Sequence, residues 1–216
     1  MNTLGVLMLE TRFPRVVGDI GNPATFGFAV RYAVVAGASP QRVVRERGPA
    51  LLAPFIEAGL GLVAQGVGAL ATSCGFLVRF QRELQAALPV PVWTSSLLLL
   101  PGLSNAGVVT VDAASLGADH LRAAGADPAT PVEGIAPGCA FQRTLLDDLP
   151  ALDTAEAERE VVAAAERLLR RVPRVTDIVL ECTNMPPYAN SVRRATGVRV
   201  HDITTLIGER FGALPH

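Results

Sequence analysis

Short, almost entirely apolar runs recur along this chain of 216 residues and constrain its fold more than any other feature. A strand that is buried on both faces is continuously apolar, whereas a strand with one solvent-facing side alternates between polar and apolar residues. The runs therefore predict parallel strands at 5–9, 68–72, 90–94, 107–111, 177–182 and 198–203. Segments rich in alanine, leucine and arginine lie between them and predict helices at 40–64, 76–88, 115–124, 154–172, 186–196 and 204–212. This alternation predicts an α/β fold with mainly parallel sheets.

The sequence also repeats itself weakly at an offset of 108 residues. This offset places Cys74 on Cys182, and each cysteine follows an apolar run and precedes a predicted helix. The repeat predicts two pseudo-symmetric α/β lobes with the active site in the cleft between them. We expect an N-terminal lobe at 1–100, which carries Cys74, and a C-terminal lobe at 101–216, which carries Cys182, with the last helix able to pack back on the first lobe.

The basic residues exclude two kinds of chemistry. All 19 of them are arginines. A Schiff base between a lysine of this chain and pyridoxal phosphate is therefore excluded, and so is the lysine of a nucleotide-binding P-loop. The three histidines form no HExxH motif and the three cysteines no paired CxxC, so the sequence does not predict a zinc site. We expect no cofactor.

The net charge and the hydropathy of the chain limit the kinds of partner that we expect. The formal net charge of −1 argues against a nucleic-acid partner. The longest apolar runs are shorter than the roughly 20 residues that span a bilayer, and the N-terminus lacks the features of a signal peptide. We therefore expect a cytoplasmic protein with reduced thiols, without nucleic-acid or membrane partners, that acts on a small molecule.

The two matched cysteines are the strongest candidates for catalysis. At the carboxyl end of a strand, a thiol lies beside the N–H groups and the positive dipole end of the following helix, which lower its pKa. Two such thiols could invert a carbon acid, because one removes the α-proton and the other protonates the opposite face. The alternative is that Cys74 and Cys182 are small buried apolar residues, which is the role expected for Cys139.

Two segments, TSCG around Cys74 and LECTNMPPYA around Cys182, carry a family resemblance together with the loop DIGN after the first strand. They resemble the aspartate/glutamate/hydantoin racemase superfamily, and the resemblance covers nearly the whole chain. It implies two α/β lobes, racemisation without pyridoxal phosphate, and a homodimer. It also implies that Cys74 and Cys182 are the acid/base pair and that Thr183 and Asn184 lie beside the substrate carboxylate.

The chain departs from the glutamate-racemase branch of that superfamily at both cysteines. Glu181 precedes Cys182 where that branch has glycine, and Asn184 replaces a histidine. Gly75 and Phe76 replace two polar residues after the first cysteine, which favours a larger or less polar substrate than glutamate. Glu181 would raise the pKa of the neighbouring thiol by charge repulsion and the helix dipole would lower it, and the sequence leaves that balance open.

Further residues near the predicted strand ends are candidates for substrate binding. An arginine could hold a carboxylate with two hydrogen bonds, and the polar side chains could orient a substrate, but each could also serve as a cap or turn residue. His201 and Asp202 are expected to form a surface pair. The candidates for substrate binding are Glu10, Arg12, Arg15, Asp19, Asn22, Thr72, Ser73, Gly75, Phe76, Thr183 and Asn184.

From the sequence we therefore expect a cofactor-independent isomerase, a racemase or epimerase of an amino acid or a related carboxylated carbon acid. Cys74 and Cys182 would work on opposite faces of the substrate. Two alternatives stay open at this point. One is a maleate-type cis–trans isomerase that uses one cysteine as nucleophile, and the other is a non-catalytic protein that binds carboxylates.

Overall fold

Two parallel four-stranded sheets organise the part of the chain described by the computed structural model, which is residues 3–46 and 48–214. The strands of the first sheet, in spatial order, are β2 (Val30–Val35), β1 (Leu4–Leu9), β3 (Ala69–Thr72) and β4 (Val92–Trp93). Those of the second are β6 (Val132–Gly134), β5 (Ala106–Thr110), β7 (Asp177–Leu180) and β8 (Arg199–His201). The two sheets thus have the same topology, which confirms the predicted α/β fold with two similar lobes. The first lobe is named here for β1–β4 and the second for β5–β8.

Seven α-helices connect and cover these strands within the described ranges. They are α1 (Leu52–Ala64), α2 (Gln81–Ala87), α3 (Ala118–Ala123), α4 (Ala140–Leu146), α5 (Thr154–Arg171), α6 (Ala189–Thr196) and α7 (Ile203–Phe211). None of the helices in this part of the chain has the length and apolar character needed to cross a membrane. Segments of 3-10 helix precede α2 and α6, with six residues at Gly75–Phe80 and three at Pro186–Tyr188. The helices predicted at 76–88 and 186–196 therefore each begin more tightly wound than expected.

The offset seen in the sequence is also an offset in structure. Strand β3 begins at residue 69 and β7 at residue 177, and helix α2 begins at 81 and α6 at 189. Both pairs of elements are 108 residues apart, as Cys74 and Cys182 are. Strands β1, β3 and β7 are buried along their whole length, in accordance with their continuous apolar sequence.

Three elements were not predicted. Strand β2 lies at the edge of its sheet, and its only fully buried residue is Val35, so its apolar pattern is interrupted. Strand β6 has three residues, all half-buried, and it too is an edge strand. Helix α4 has seven residues and follows a proline and a glycine, which indicated a loop. Short and edge elements carry little of the periodic signal on which these predictions depend.

The core links the two lobes. One continuous cluster of buried side chains includes Leu7 and Leu70 of the first sheet and Val108 and Ile178 of the second. A second cluster lies on the other face of the first sheet, where α7 covers β1 and β3. The last helix therefore packs on the first lobe, although the chain reaches it only after completing the second sheet.

The order in which strands are added to each sheet reverses at its centre, between β1 and β3 and between β5 and β7, while all strands stay parallel. Connections leave such a point in opposite directions, which opens a crevice at the carboxyl ends of the two central strands. The two crevices meet. The Thr183 hydroxyl donates to the Ser73 carbonyl at 2.6 Å, and the Ser96 hydroxyl donates to the Leu180 carbonyl at 2.7 Å.

Gly75 marks the closest approach of the two lobes. A Cβ atom at this position would overlap both the carboxyl group and the backbone carbonyl of Glu181. Only glycine allows the turn after β3 to lie this close to the end of β7.

We expect Gly75→Ala to lower the free energy of unfolding by about 1–3 kcal/mol, because the added methyl forces the lobes apart. Urea unfolding measures the change. Gly61→Ala is the matched control, since position 61 is exposed in α1 and has open space around it. The control should be neutral or raise the stability by about 0.5–1 kcal/mol. Equal stabilities of Gly75→Ala and the unaltered protein would contradict the close approach.

Candidate active site

A pocket lies where the carboxyl ends of the central strands of both lobes meet. With the open solvent at its mouth included, the space between its lining residues is about 360 Å³. Its polar side chains come from both lobes, and its walls are mostly apolar. The lining residues are Leu9, Phe13, Arg15, Pro40, Val44, Ser73, Cys74, Gly75, Phe76, Val111, Leu145, Leu146, Glu181, Cys182, Thr183 and Asn184.

Cys74 lies between the end of β3 and the 3-10 turn Gly75–Phe80. The backbone N–H groups of Phe76 and Leu77 lie near its sulfur and favour the thiolate. Burial and the neighbouring Glu181 carboxylate outweigh these donors and raise the pKa of the Cys74 thiol to about 12. The expected lowering of this pKa is therefore wrong, because desolvation is a larger effect here than one short turn of helix.

Cys182 occupies the equivalent position after β7 and is buried. Burial, followed by repulsion from Glu181, raises the pKa of its thiol well above the usual value, and the Asn184 N–H group opposes the rise only partly. The Cys182 thiol donates to the Asn184 side-chain oxygen at 3.5 Å. The balance that the sequence left open is thus resolved towards a raised pKa, and both cysteines are protonated thiols in the ligand-free protein at neutral pH.

Glu181 lies next to both thiols and is completely buried. One carboxyl oxygen accepts the Thr110 hydroxyl at 2.7 Å, and the other has no hydrogen-bond partner among the described residues. Burial raises the pKa of this carboxyl to about 8, and the hydrogen bond from Thr110 offsets only part of that rise. At neutral pH the group is therefore mostly protonated.

A buried ion-pair network flanks the thiols on the first lobe. Arg15 contacts Asp19 at 3.1 Å, and Asp19 accepts a short hydrogen bond from the Asn184 side chain. Burial raises the pKa of Asp19, which its charged and hydrogen-bonded neighbours oppose. The Arg15 guanidinium lies 4.6 Å from the centre of the Phe13 ring. Its Nε–H is buried and has no hydrogen-bond partner in the described part of the chain.

Several predicted site residues meet in or beside this pocket. Ser73 accepts the Leu9 N–H at 2.8 Å through its hydroxyl, and Phe76 packs edge-on against His120. Asp19 reaches the site through Asn184. The predicted residues that line the pocket are Ser73, Cys74, Gly75, Phe76, Cys182, Thr183 and Asn184. Their roles in catalysis and substrate binding stay predictions.

Four predicted residues do not line the pocket and have other partners. Glu10 accepts the Gly37 N–H at 2.9 Å, and the exposed Arg12 pairs with Asp148 at 3.2 Å. The Asn22 side chain accepts the Ala24 N–H at 2.9 Å and so forms the turn that was its alternative role. The Thr72 hydroxyl donates to the Thr94 carbonyl at 2.7 Å. Polar residues at strand ends are often needed by the local backbone, as these contacts show, and a role of the four positions in substrate binding stays a prediction.

His201 and Asp202 also have separate structural partners. His201 contacts the buried Asp177 at 2.9 Å, and Asp202 caps α7. They do not form the expected pair with each other.

Most of the apolar residues that line the pocket, its apolar wall, were not predicted as site residues. The wall includes Pro40, Val44 and Val111, together with Leu145 and Leu146 at the end of α4. These residues look like ordinary core residues in the sequence, and nothing in their spacing indicates that one side of each faces a cavity. Among the arginines considered, Arg15 is the one that lines the pocket.

The relatives found by comparing sequences share one protein name. No family model matches the chain. A dimethylsulfoniopropionate lyase of Durusdinium sp. clade D is 28% identical over 224 residues, which cover 93% of this chain and 71% of the relative. Dimethylsulfoniopropionate lyase 7 of Emiliania huxleyi is 29% identical over 231 residues, which cover 98% of this chain and 67% of the relative. Lyase 3 of the same species is 28% identical and covers 98% of this chain and 60% of its own.

Comparison by structure gives racemases and a decarboxylase. Allantoin racemase from Klebsiella pneumoniae has a TM-score of 0.66 at 16% identity, with 98% of this chain and 88% of that chain covered. Unliganded arylmalonate decarboxylase has a TM-score of 0.60 at 16% identity, with 93% and 86% covered. A putative Asp/Glu racemase from Yersinia pestis has a TM-score of 0.58 at 12% identity and covers 95% of each chain.

These findings separate the fold from the reaction. The expectation of an isomerase that racemises an amino acid is wrong, because the curated sequence relatives are named lyases. The structural neighbours share too little sequence to indicate more than architecture. The chain has the fold of the aspartate/glutamate/hydantoin racemase superfamily, which confirms at the level of fold the resemblance inferred from its two cysteine segments.

Proposed function

We propose that this protein is a carbon–sulfur lyase that releases dimethyl sulfide from dimethylsulfoniopropionate or a close analogue. One observation carries the proposal. Relatives that are 26–29% identical and match 93% or more of this chain share the name dimethylsulfoniopropionate lyase. The pocket supports it, because it holds two thiols and an arginine in a largely apolar cavity.

The reaction is a β-elimination. The substrate is a propionate that carries a dimethylsulfonium group on the carbon farther from the carboxylate. A base removes a proton from the carbon next to the carboxylate, and the electron pair of that C–H bond becomes the new carbon–carbon double bond. The C–S bond breaks with its electron pair on sulfur. The products are neutral dimethyl sulfide and acrylate, and the base holds the proton until it passes to solvent.

The thiols are the proposed source of the base. A thiolate at the end of β3 or β7 lies beside backbone N–H groups that stabilise its charge. Elimination removes one proton from carbon and returns none, so a single thiolate is sufficient, unlike in racemisation. The two cysteines therefore need not contribute equally to the rate.

Arg15 is the proposed anchor for the substrate carboxylate. Its two terminal nitrogens already contact Asp19 and Thr11, each at 3.1 Å. Its Nε–H is also buried, and it has no hydrogen-bond partner in the described residues. A buried donor of this kind loses solvation without compensation unless a ligand binds it. A carboxylate bound there would gain a charge-assisted hydrogen bond.

We expect Cys74→Ala or Cys182→Ala, whichever removes the base, to lower kcat by about 10²–10⁴-fold. Headspace gas chromatography of dimethyl sulfide measures the rate, and the comparison of the two variants identifies the base. Cys139→Ala is the matched control and should keep full activity, since Cys139 lies at the start of α4 and does not line the pocket. The mechanism fails if both Cys74→Ala and Cys182→Ala turn over at the normal rate.

We expect Arg15→Gln to raise KM for dimethylsulfoniopropionate by roughly tenfold to a hundredfold. A charge-assisted hydrogen bond contributes about 1.5–3 kcal/mol, and about 1.4 kcal/mol corresponds to a factor of ten. Arg12→Gln is the control, because Arg12 is exposed and pairs with Asp148 outside the pocket. Steady-state kinetics on variants with checked thermal unfolding decide the question, and an unchanged KM in Arg15→Gln would remove Arg15 from the site.

A further inference from the structure

Glu181 is a buried acid without a cation. Its side chain lines the pocket and is completely buried, and one of its carboxyl oxygens has no partner among the described residues. The other oxygen accepts a neutral hydroxyl, that of Thr110. An unpartnered carboxyl oxygen in a dry pocket is costly for the folded protein, and such a group indicates a ligand.

The charged groups around Glu181 do not neutralise it. The negative charge of Glu181 raises the pKa of the Cys74 and Cys182 thiols, but neither thiol carries a positive charge that could neutralise it. Arg15, whose positive charge acts on Cys74, is already paired with Asp19. The ionised form of Glu181 would therefore lack a counter-ion in the empty pocket.

The lining of the pocket carries groups of both signs, Arg15 and Glu181. Both act on the Cys74 thiol, whose pKa the Glu181 carboxylate raises and the Arg15 guanidinium lowers. A β-sulfonio carboxylate has the complementary charges, an anion at one end with the acidic carbon beside it, and a cation at the other end. A carboxylate on Arg15 would place the acidic carbon near the thiols and the sulfonium towards Glu181.

We propose that Glu181 is the sulfonium-binding residue of this pocket, and that its carboxylate determines specificity for an onium cation over a neutral group of the same shape. The inference deepens the proposed lyase function and rests on it for the identity of the substrate. A sulfonium ion buried among leucine, valine and phenylalanine side chains needs a counter-ion, because desolvation of an unpaired charge is prohibitive. Dimethyl sulfide carries no charge, so the product loses this interaction when the C–S bond breaks.

The proposal predicts a pH dependence with a definite sign. The carboxylate form binds the cation, and burial raises the pKa of the free carboxyl to about 8. Below that pH a proton must leave when the cation binds, so the affinity should rise with pH and level off above about 8. Both thiols titrate at higher pH and do not contribute to this limb of the curve.

The experiment compares two ligands that differ only in charge. Dimethylsulfonioacetate carries the sulfonium but lacks the carbon needed for β-elimination, and isovalerate is its isostere with an uncharged CH group in place of the sulfonium sulfur. Titration calorimetry at pH 8.5 measures both affinities in the unaltered protein, in Glu181→Gln and in the surface control Glu57→Gln. Glutamine keeps the shape of the side chain and can still accept the Thr110 hydroxyl.

We expect the unaltered protein and Glu57→Gln to bind dimethylsulfonioacetate at least tenfold more tightly than isovalerate, and Glu181→Gln to bind the two ligands with equal affinity. In turnover, Glu181→Gln should raise KM for dimethylsulfoniopropionate much more than it lowers kcat. Equal affinities for the two ligands in the unaltered protein would overturn the proposal, and so would a retained preference in Glu181→Gln.

Two further outcomes distinguish a failure of the proposed cation subsite from a failure of the proposed lyase function. If Glu181→Gln fails to fold, the pH dependence of the unaltered protein decides, because only the sulfonium ligand should bind more tightly up to pH 8. An onium preference that depends on Glu181, in a protein that releases no dimethyl sulfide, would support the cation subsite and reject the proposed lyase function.

Discussion

The rest of the structure depends on the contact between the carboxyl ends of two parallel sheets. Strand ends expose carbonyl groups that need hydrogen bonds, and here hydroxyl groups of the opposite lobe supply two of them, from Thr183 and Ser96. Cys182 and Glu181 are buried where the lobes meet and Cys74 is half-buried, and the raised pKa values of the three groups follow chiefly from this burial.

The same contact explains how one scaffold can serve different reactions. Thiols and an arginine in one largely apolar crevice suit a reaction that begins with removal of a proton next to a carboxylate. What happens next depends on the substrate, since a good leaving group on the neighbouring carbon turns proton removal into elimination. The fold and the cysteines are therefore compatible with both a racemase and a lyase, and only the sequence relatives distinguish the two.

The sequence predicted the architecture because each apolar run indicates one strand, and the evidence for the fold accumulates from run to run along the chain. Six of the eight strands in the described residues were visible as apolar runs, and a constant offset matched Cys74 with Cys182. The roles of the polar residues were harder to predict from the sequence. Asn22 and Thr72 form hydrogen bonds with backbone groups, whereas Arg15 lines the pocket. The direction of the thiol pKa shift could not be read from the sequence, because it depends on how completely the opposite lobe excludes water.

The position of α7 has a consequence for the way the chain becomes a folded protein. This helix, from the second half of the sequence, covers the face of the first sheet that includes Leu4, Val6 and Ala71. During synthesis that apolar face stays uncovered until residues beyond 200 have emerged from the ribosome, whereas the second sheet can close around its own helices. The first half of the chain is then the part most exposed to aggregation, and its folding is completed last although it is made first.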